Sequence, residues 1–128
     1  MSRFPKGLAA LTLAVPSIVV GLMIMPSEAA TAPVADGVYQ LASAASGKCV
    51  DVAGASTANS ALLIQVACSG TATDQQWKAA GSSQFTLANG NSTHCIDVPS
   101  SSTTSGTQLQ QYGCGDGTKI NQLWTFTA

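Results

Sequence analysis

The sequence predicts an all-β fold assembled from two copies of one short repeat, with one disulfide in each copy. The first observation is internal similarity: Cys95-Ile96-Asp97-Val98, then Cys114, then Asn121-Gln122-Leu123-Trp124 echoes Cys49-Val50-Asp51-Val52, then Cys68, then Asp74-Gln75-Gln76-Trp77. The offset is 46 residues at both Cys positions, at Asp51/Asp97 and at Gln65/Gln111, and 47 at Trp77/Trp124. Self-similarity at a fixed period marks a repeat architecture. The second observation is composition: past its N-terminal segment the chain is rich in Ser, Thr, Gly, Ala and Gln, which suits short strands and many turns better than long helices. The third is that each copy places a turn-rich stretch between two runs of alternating polarity, the pattern of a strand pair.

At the N-terminus, Arg3 and Lys6 precede an apolar run over residues 8–25, and Ser27-Glu28-Ala29 fits a small-x-small cleavage site. This reads as a signal peptide over 1–29, cleaved after Ala29, and so as a secreted, extracellular protein. A retained membrane anchor is the other reading, since a largely apolar run of 18 residues approaches the length of a span. Pro16 and Gly21 interrupt the run, however, and no Lys or Arg follows it before Lys48. After cleavage three Lys stand against five Asp, a net charge of −2. That balance argues against nucleic acid or an anionic membrane as partner.

A flexible lead over 30–36 precedes repeat one, about 37–80, and repeat two, about 81–128. Strands are expected at 39–43, 48–52, 62–68 and 75–79, with Ser46-Gly47 turning the first pair and equivalents running to Thr127. In the second copy Phe85-Thr86-Leu87-Ala88 ends in Asn89-Gly90, a hairpin-turn signal. Trp77 and Trp124 close the copies and are assigned to the core, which large aromatics dominate in small domains. Four Cys in an exported domain read as a disulfide framework with three possible pairings. The repeat selects Cys49–Cys68 and Cys95–Cys114. Each bridge closes a loop of about 20 residues, worth roughly 3 kcal/mol in the chain-entropy model. With one His and no Cys-x-x-Cys, neither a metal nor any other cofactor is expected.

Within the second copy Ile96 and Val98 alternate with Cys95 and Asp97, so Cys95 and Asp97 share the outer face if the aliphatic side is the core. With Cys95 opposite Cys114, Asp97 would stand opposite Tyr112, and Gln110 would converge on them. An aromatic face beside an ionised acceptor suits a sugar, whose C–H groups lie on the ring while vicinal hydroxyls donate to the carboxylate. The plainer alternative is that Tyr112 covers a core edge and Asp97 fixes a turn.

Cys-hydrophobic-Asp-Val, Gln-Gln-Tyr-Gly-Cys and Asn-Gln-Leu-Trp together resemble the Gln-x-Trp repeat of ricin B-chain-type lectins, also classed as family 13 carbohydrate-binding modules. The resemblance covers residues 37–127 and implies a ricin-type β-trefoil-like fold with non-catalytic sugar binding. It places a site on Asp97, Gln110, Tyr112 and Asn121, with Gln122 behind them. The first copy departs from the pattern: Asp51 and Gln75 are kept, but Ile64, Val66 and Asp74 stand where Gln110, Tyr112 and Asn121 do. A site at Asp51, Asp74 and Gln75 is therefore expected to be weak or degenerate. The chain also carries two of the three repeats of a trefoil. An unfilled sector leaves strand edges and a core flank open, which proteins pair or cover. Self-association completing the trefoil is the preferred expectation, over a partial barrel held by its disulfides or a marginal truncated product.

Catalysis is not expected. His94, at a strand start, is read as an exposed residue with no nucleophile motif beside it. Asp51 and Asp97 occupy equivalent points of separate repeats rather than facing one another across a bond. The function reading is a secreted lectin-like protein whose partner is a glycan or polysaccharide containing galactose, arabinose or xylose. The alternative is a secreted trefoil-like protein-interaction or inhibitor protein without sugar binding.

Overall fold

The computed structural model describes residues 32–127, so the expected signal peptide lies outside the described residues. Seven strands follow in order: β1 Val38–Tyr39, β2 Cys49–Val52, β3 Leu63–Val66, β4 Trp77–Gly81, β5 Phe85–Asn89, β6 Cys95–Asp97 and β7 Gln110–Tyr112. Helical structure among the described residues is limited to 3-10 turns of three residues each, at Ala53–Ala55, Thr73–Gln75, Pro99–Ser101 and Ile120–Gln122. None of it is long and apolar enough to cross a membrane. The strands form a five-stranded antiparallel sheet, β1-β4-β5-β6-β7, and a separate β2-β3 pair.

Alternation along the strands explains the layering. On β5, Phe85, Leu87 and Asn89 are buried while Thr86 and Ala88 between them are half-exposed; on β4, Trp77 and Ala79 are buried and Lys78 is exposed. The inward side chains meet Val52, Leu63 and Ile96 in one core. Gly81 turns β4 into β5 at φ 141°, where a Cβ would lie 2.0 Å from the Gln84 carbonyl oxygen, so the turn requires glycine. The disulfides Cys49–Cys68 and Cys95–Cys114 both form, each with Cα atoms 5.0 Å apart.

The repeat is reproduced at its Trp residues. Trp77 Nε1 donates to the Val50 carbonyl and Trp124 Nε1 to the Ile96 carbonyl, both at 3.3 Å. Burial nevertheless separates the two Trp: Trp77 lies between the repeats and is fully buried, whereas Trp124 is only half-buried. Trp124 instead lines an open apolar cavity of about 580 Å³ with Leu41, Val50, Leu63, Leu109 and Phe126.

Several expected boundaries move. The first strand is two residues, continued by a single bridge between Ala42 and Cys49. Gln75 belongs to a 3-10 turn because its side chain is drawn inward to Asp51 and to the Ala67 carbonyl. Trp124 makes one bridge, to Phe85, rather than a full last strand. The Asn89-Gly90 turn is wider than a two-residue hairpin. Asn89 N–H donates to the His94 carbonyl, and the left-handed residue is Thr93, at φ 63°. Its equivalent, Gly47, has φ 70°.

Candidate functional site

Strand β6 brings Asp97 to the site, and its register with β7 differs from the expectation. Cys95 stands opposite Tyr112, Ile96 opposite Gln111 and Asp97 opposite Gln110. The disulfide joins Cys95 to a residue two positions beyond its true partner, so pairing the two Cys directly slides the register by two. The exposed outer face expected for Cys95 and Asp97 is also corrected: Cys95, Ile96 and Asp97 are all buried. Asp97 is 3 % exposed because amide side chains enclose its carboxylate.

Those amides are the residues singled out by sequence. Gln110 Nε2 donates to Asp97 Oδ1 at 3.1 Å, Asn121 Nδ2 donates to Oδ2 at 3.1 Å, and Gln122 Nε2 donates to Oδ2 at 2.8 Å. The 3-10 turn Ile120–Gln122 presents Asn121 and Gln122 together, with the Gln122 N–H donating to the Lys119 carbonyl. Asn121 also donates to the Val98 carbonyl at 3.0 Å. Gln122 is fully buried; it donates to the Gly113 carbonyl and accepts from the Gly115 N–H, so it fixes the loop after β7 rather than facing solvent.

A carboxylate offers about four lone-pair sites. Three are filled here, leaving one on Oδ1. The cavity, about 460 Å³, is lined by Asp97, Gln110, Tyr112 and Asn121, together with Ser60, Pro99, Ser100 and Lys119. Tyr112 is 38 % exposed and forms a wall. Lys119 Nζ lies over its ring, 5.7 Å from the centroid.

Ser60, Pro99, Ser100 and Lys119 are the lining residues that sequence reasoning missed. Ser60 comes from the first repeat, carried in when its N–H donates to the Gln111 carbonyl at 2.8 Å. No local signal marks it. Lys119 precedes Asn121 by two positions, and that spacing to the Asn-Gln pair is the signal available in the sequence. His94 lies outside this lining and is half-buried rather than exposed, with Nδ1 buried and unpartnered among the described residues.

The first repeat keeps the frame and loses the functional groups. Gln75 Nε2 donates to Asp51 Oδ2 at 2.9 Å, as Gln122 does to Asp97. Opposite Asp51, however, stands Ile64, and opposite Cys49 stands Val66. Asp74 occupies the place from which Asn121 donates in the second repeat. Burial pushes the Asp51 carboxyl above its ordinary value of 3.8; the Gln75 hydrogen bond opposes this and the Asp74 charge adds to it. In the loop before Lys119, the hydroxyl and N–H of Thr118 both donate to Asp116 Oδ1 and hold that carboxyl below the usual range. Among the described residues no cluster of three or more His, Cys, Asp or Glu is arranged to hold a metal.

Comparison with solved structures agrees with this architecture. A designed three-fold symmetric protein, ThreeFoil, shares 36 % identity with a TM-score of 0.66, over 73 % of this chain and 66 % of that one. An exo-β-1,3-galactanase from Clostridium thermocellum, 1,3Gal43A, shares 29 % identity with a TM-score of 0.62, over 73 % of this chain and 20 % of that one. The chain in a PSL1a-E64 complex, 20 % identical with a TM-score of 0.63 over 75 % of this chain and 36 % of that one, shares the fold. The chain thus spans less than two thirds of the length of each. No curated protein matches it. The profile described as "Ricin-type beta-trefoil lectin domain-like" matches residues 29–112 and again 73–128, which together span the repeats. With that match, and with the Asp-Gln-Trp frame repeated in both halves, the chain belongs to the ricin-type β-trefoil lectin domain-like family.

Proposed function

We propose that this protein binds a sugar non-catalytically through the second repeat. The observation that carries the reading is the Asp97 carboxylate, held by three side-chain amides with one acceptor site free, in a cavity walled by Tyr112. A pyranose laid on the ring directs a hydroxyl to Oδ1 and others to Gln110 and Asn121. Gln122 acts from behind by fixing Asp97. The cavity holds one carboxylate and no second one across from it, so it lacks the facing pair that glycoside hydrolysis uses. The degenerate repeat, with Asp51, Asp74 and Gln75, keeps a structural role. The N-terminal pattern over 1–29 supports export with cleavage after Ala29, leaving repeats of about 37–80 and 81–128. A glycan array probed with the protein and with its Asp97→Asn variant tests the function. Binding to galactose-, arabinose- or xylose-containing glycans, lost in the variant, is expected; absence of binding to any glycan overturns it.

Self-association is the second element of the reading, and the apolar cavity favours it. Gln111 is fully buried, with Nε2 donating to the Ser56 and Ala58 carbonyls of the first repeat and Oε1 accepting from Ser92. Its equivalent Gln65 accepts from Ser46 in the same way but is exposed, with Nε2 unpartnered among the described residues. The Gln65 end of the two-repeat unit therefore presents one half of a contact already made inside it. Association that brings another copy onto this flank covers Leu41, Ile64 and Phe126, three of the apolar residues that line it.

A further inference from the structure

We infer that Lys119 makes this site selective for anionic sugars, with a uronosyl residue as the class of ligand. The inference rests on the sugar-binding reading above and deepens it. Lys119 lines the same cavity as Asp97, Gln110, Tyr112 and Asn121. Its position is built. The backbone carbonyl of Lys119 accepts from Gln122 N–H, so the turn that aims the two amides at Asp97 also fixes the root of the lysine. Its stem lies against Gly115, where a Cβ would come within 2.8 Å of Cγ and Cδ. A side chain at that position would push the lysine away.

The ammonium forms no ion pair among the described residues, where the pair is Lys78 with Asp36. Asp116, whose Oδ1 accepts from Thr118, feels the Lys119 charge without a direct contact. Lys119 rests instead over the Tyr112 ring, the surface on which a sugar must stack. Sugar and ammonium compete for that face. A neutral sugar offers the displaced ammonium only hydroxyl oxygens, whereas a sugar acid supplies a charged acceptor. In the first repeat the equivalent position is Ala72, so the feature belongs to the second-repeat site alone.

The test uses pairs of methyl glycosides that differ only at C6, galactoside against galacturonide and glucoside against glucuronide, titrated into the protein and followed by NMR shifts. The uronide of a pair is expected to bind about tenfold or more tightly than its neutral partner, and its affinity to fall as salt rises. Lys119→Gln should erase the preference by weakening uronide binding far more than neutral binding; Lys119→Arg should keep it. Neutral binding equal to or stronger than uronide binding overturns this inference and leaves the sugar site standing. An equal loss for both ligands in Lys119→Gln overturns it too, since the lysine then only supports the loop. If neither class binds, the sugar-binding reading itself fails, and this one with it.

Discussion

At Asp97 the arrangement of charge decides what the site can do. Three amide donors hold the carboxylate in place, so Asp97→Asn keeps the shape but turns a charged acceptor into an amide facing other amides. Loss of a charge-assisted hydrogen bond costs about 1.5–3 kcal/mol. Calorimetric titration should therefore show sugar affinity falling by at least about tenfold. Tyr112→Ala should fall similarly through loss of the stacking wall, while Asp51→Asn should change binding little. The reverse pattern would move the site to the first repeat. Asp74 supports a separate prediction. The folded state raises the Asp51 pKa, so it binds that proton more tightly than the unfolded chain does. This group's contribution therefore favours folding at acid pH and is lost as pH rises through the raised value. Asp74→Asn restores the donor found in the second repeat. It should raise the melting temperature at pH 7 and flatten the dependence above pH 3.8, the ordinary value. A lower melting temperature at pH 7 would contradict the pairing.

The β6-β7 hairpin and its first-repeat counterpart share a register, a disulfide and a buried Gln, and differ in what they present. Cys49 faces Val66 as Cys95 faces Tyr112, and Asp51 faces Ile64 as Asp97 faces Gln110. Gln122 holds the hairpin to the loop that follows it through Gly113 and Gly115. Gln122→Ala strands those two half-buried backbone groups and removes one of the three donors to Asp97, at up to about 1–3 kcal/mol for each group left unpaired. Denaturant unfolding should show the loss even without sugar, which distinguishes a positioning residue from one that contacts ligand. Opening either disulfide should lower stability by about 3 kcal/mol, measured by unfolding with and without reductant. Equal stability in the two conditions would show that the loops are held by packing alone.

For the whole domain, the open flank is the dominant feature. Leu62 and Ile64 are 49 % and 41 % exposed, and Ile64 lines the apolar cavity with Trp124 and Phe126. Covering such a surface is favourable by about 25 cal/mol for each Å² of apolar area removed from water. Sedimentation velocity across a concentration series is expected to show association, and Ile64→Ser to shift it toward the single chain. A constant single-chain sedimentation coefficient at every concentration would remove self-association from the reading.

The sequence by itself determined the repeat, the disulfide partners and the all-β class, because these follow from periodicity and from residues that recur at a fixed offset; the three amides that meet at Asp97 are named by the family resemblance. It determined the degeneracy of the first copy as well, since Ile64, Val66 and Asp74 are chemical substitutions visible at matched positions. Only the tertiary structure decided the register, which the disulfide disguises by joining residues that are not cross-strand partners. It alone decided the burial of Asp97, because three amides from two separate segments close over one carboxylate. It also decided that the second-repeat cavity is walled by Ser60 of the first repeat, a contact made between repeats that no local pattern encodes. The contrast between Trp77 and Trp124 has the same origin: identical residues in identical frames differ in burial because one has a repeat packed against it and the other faces the open flank.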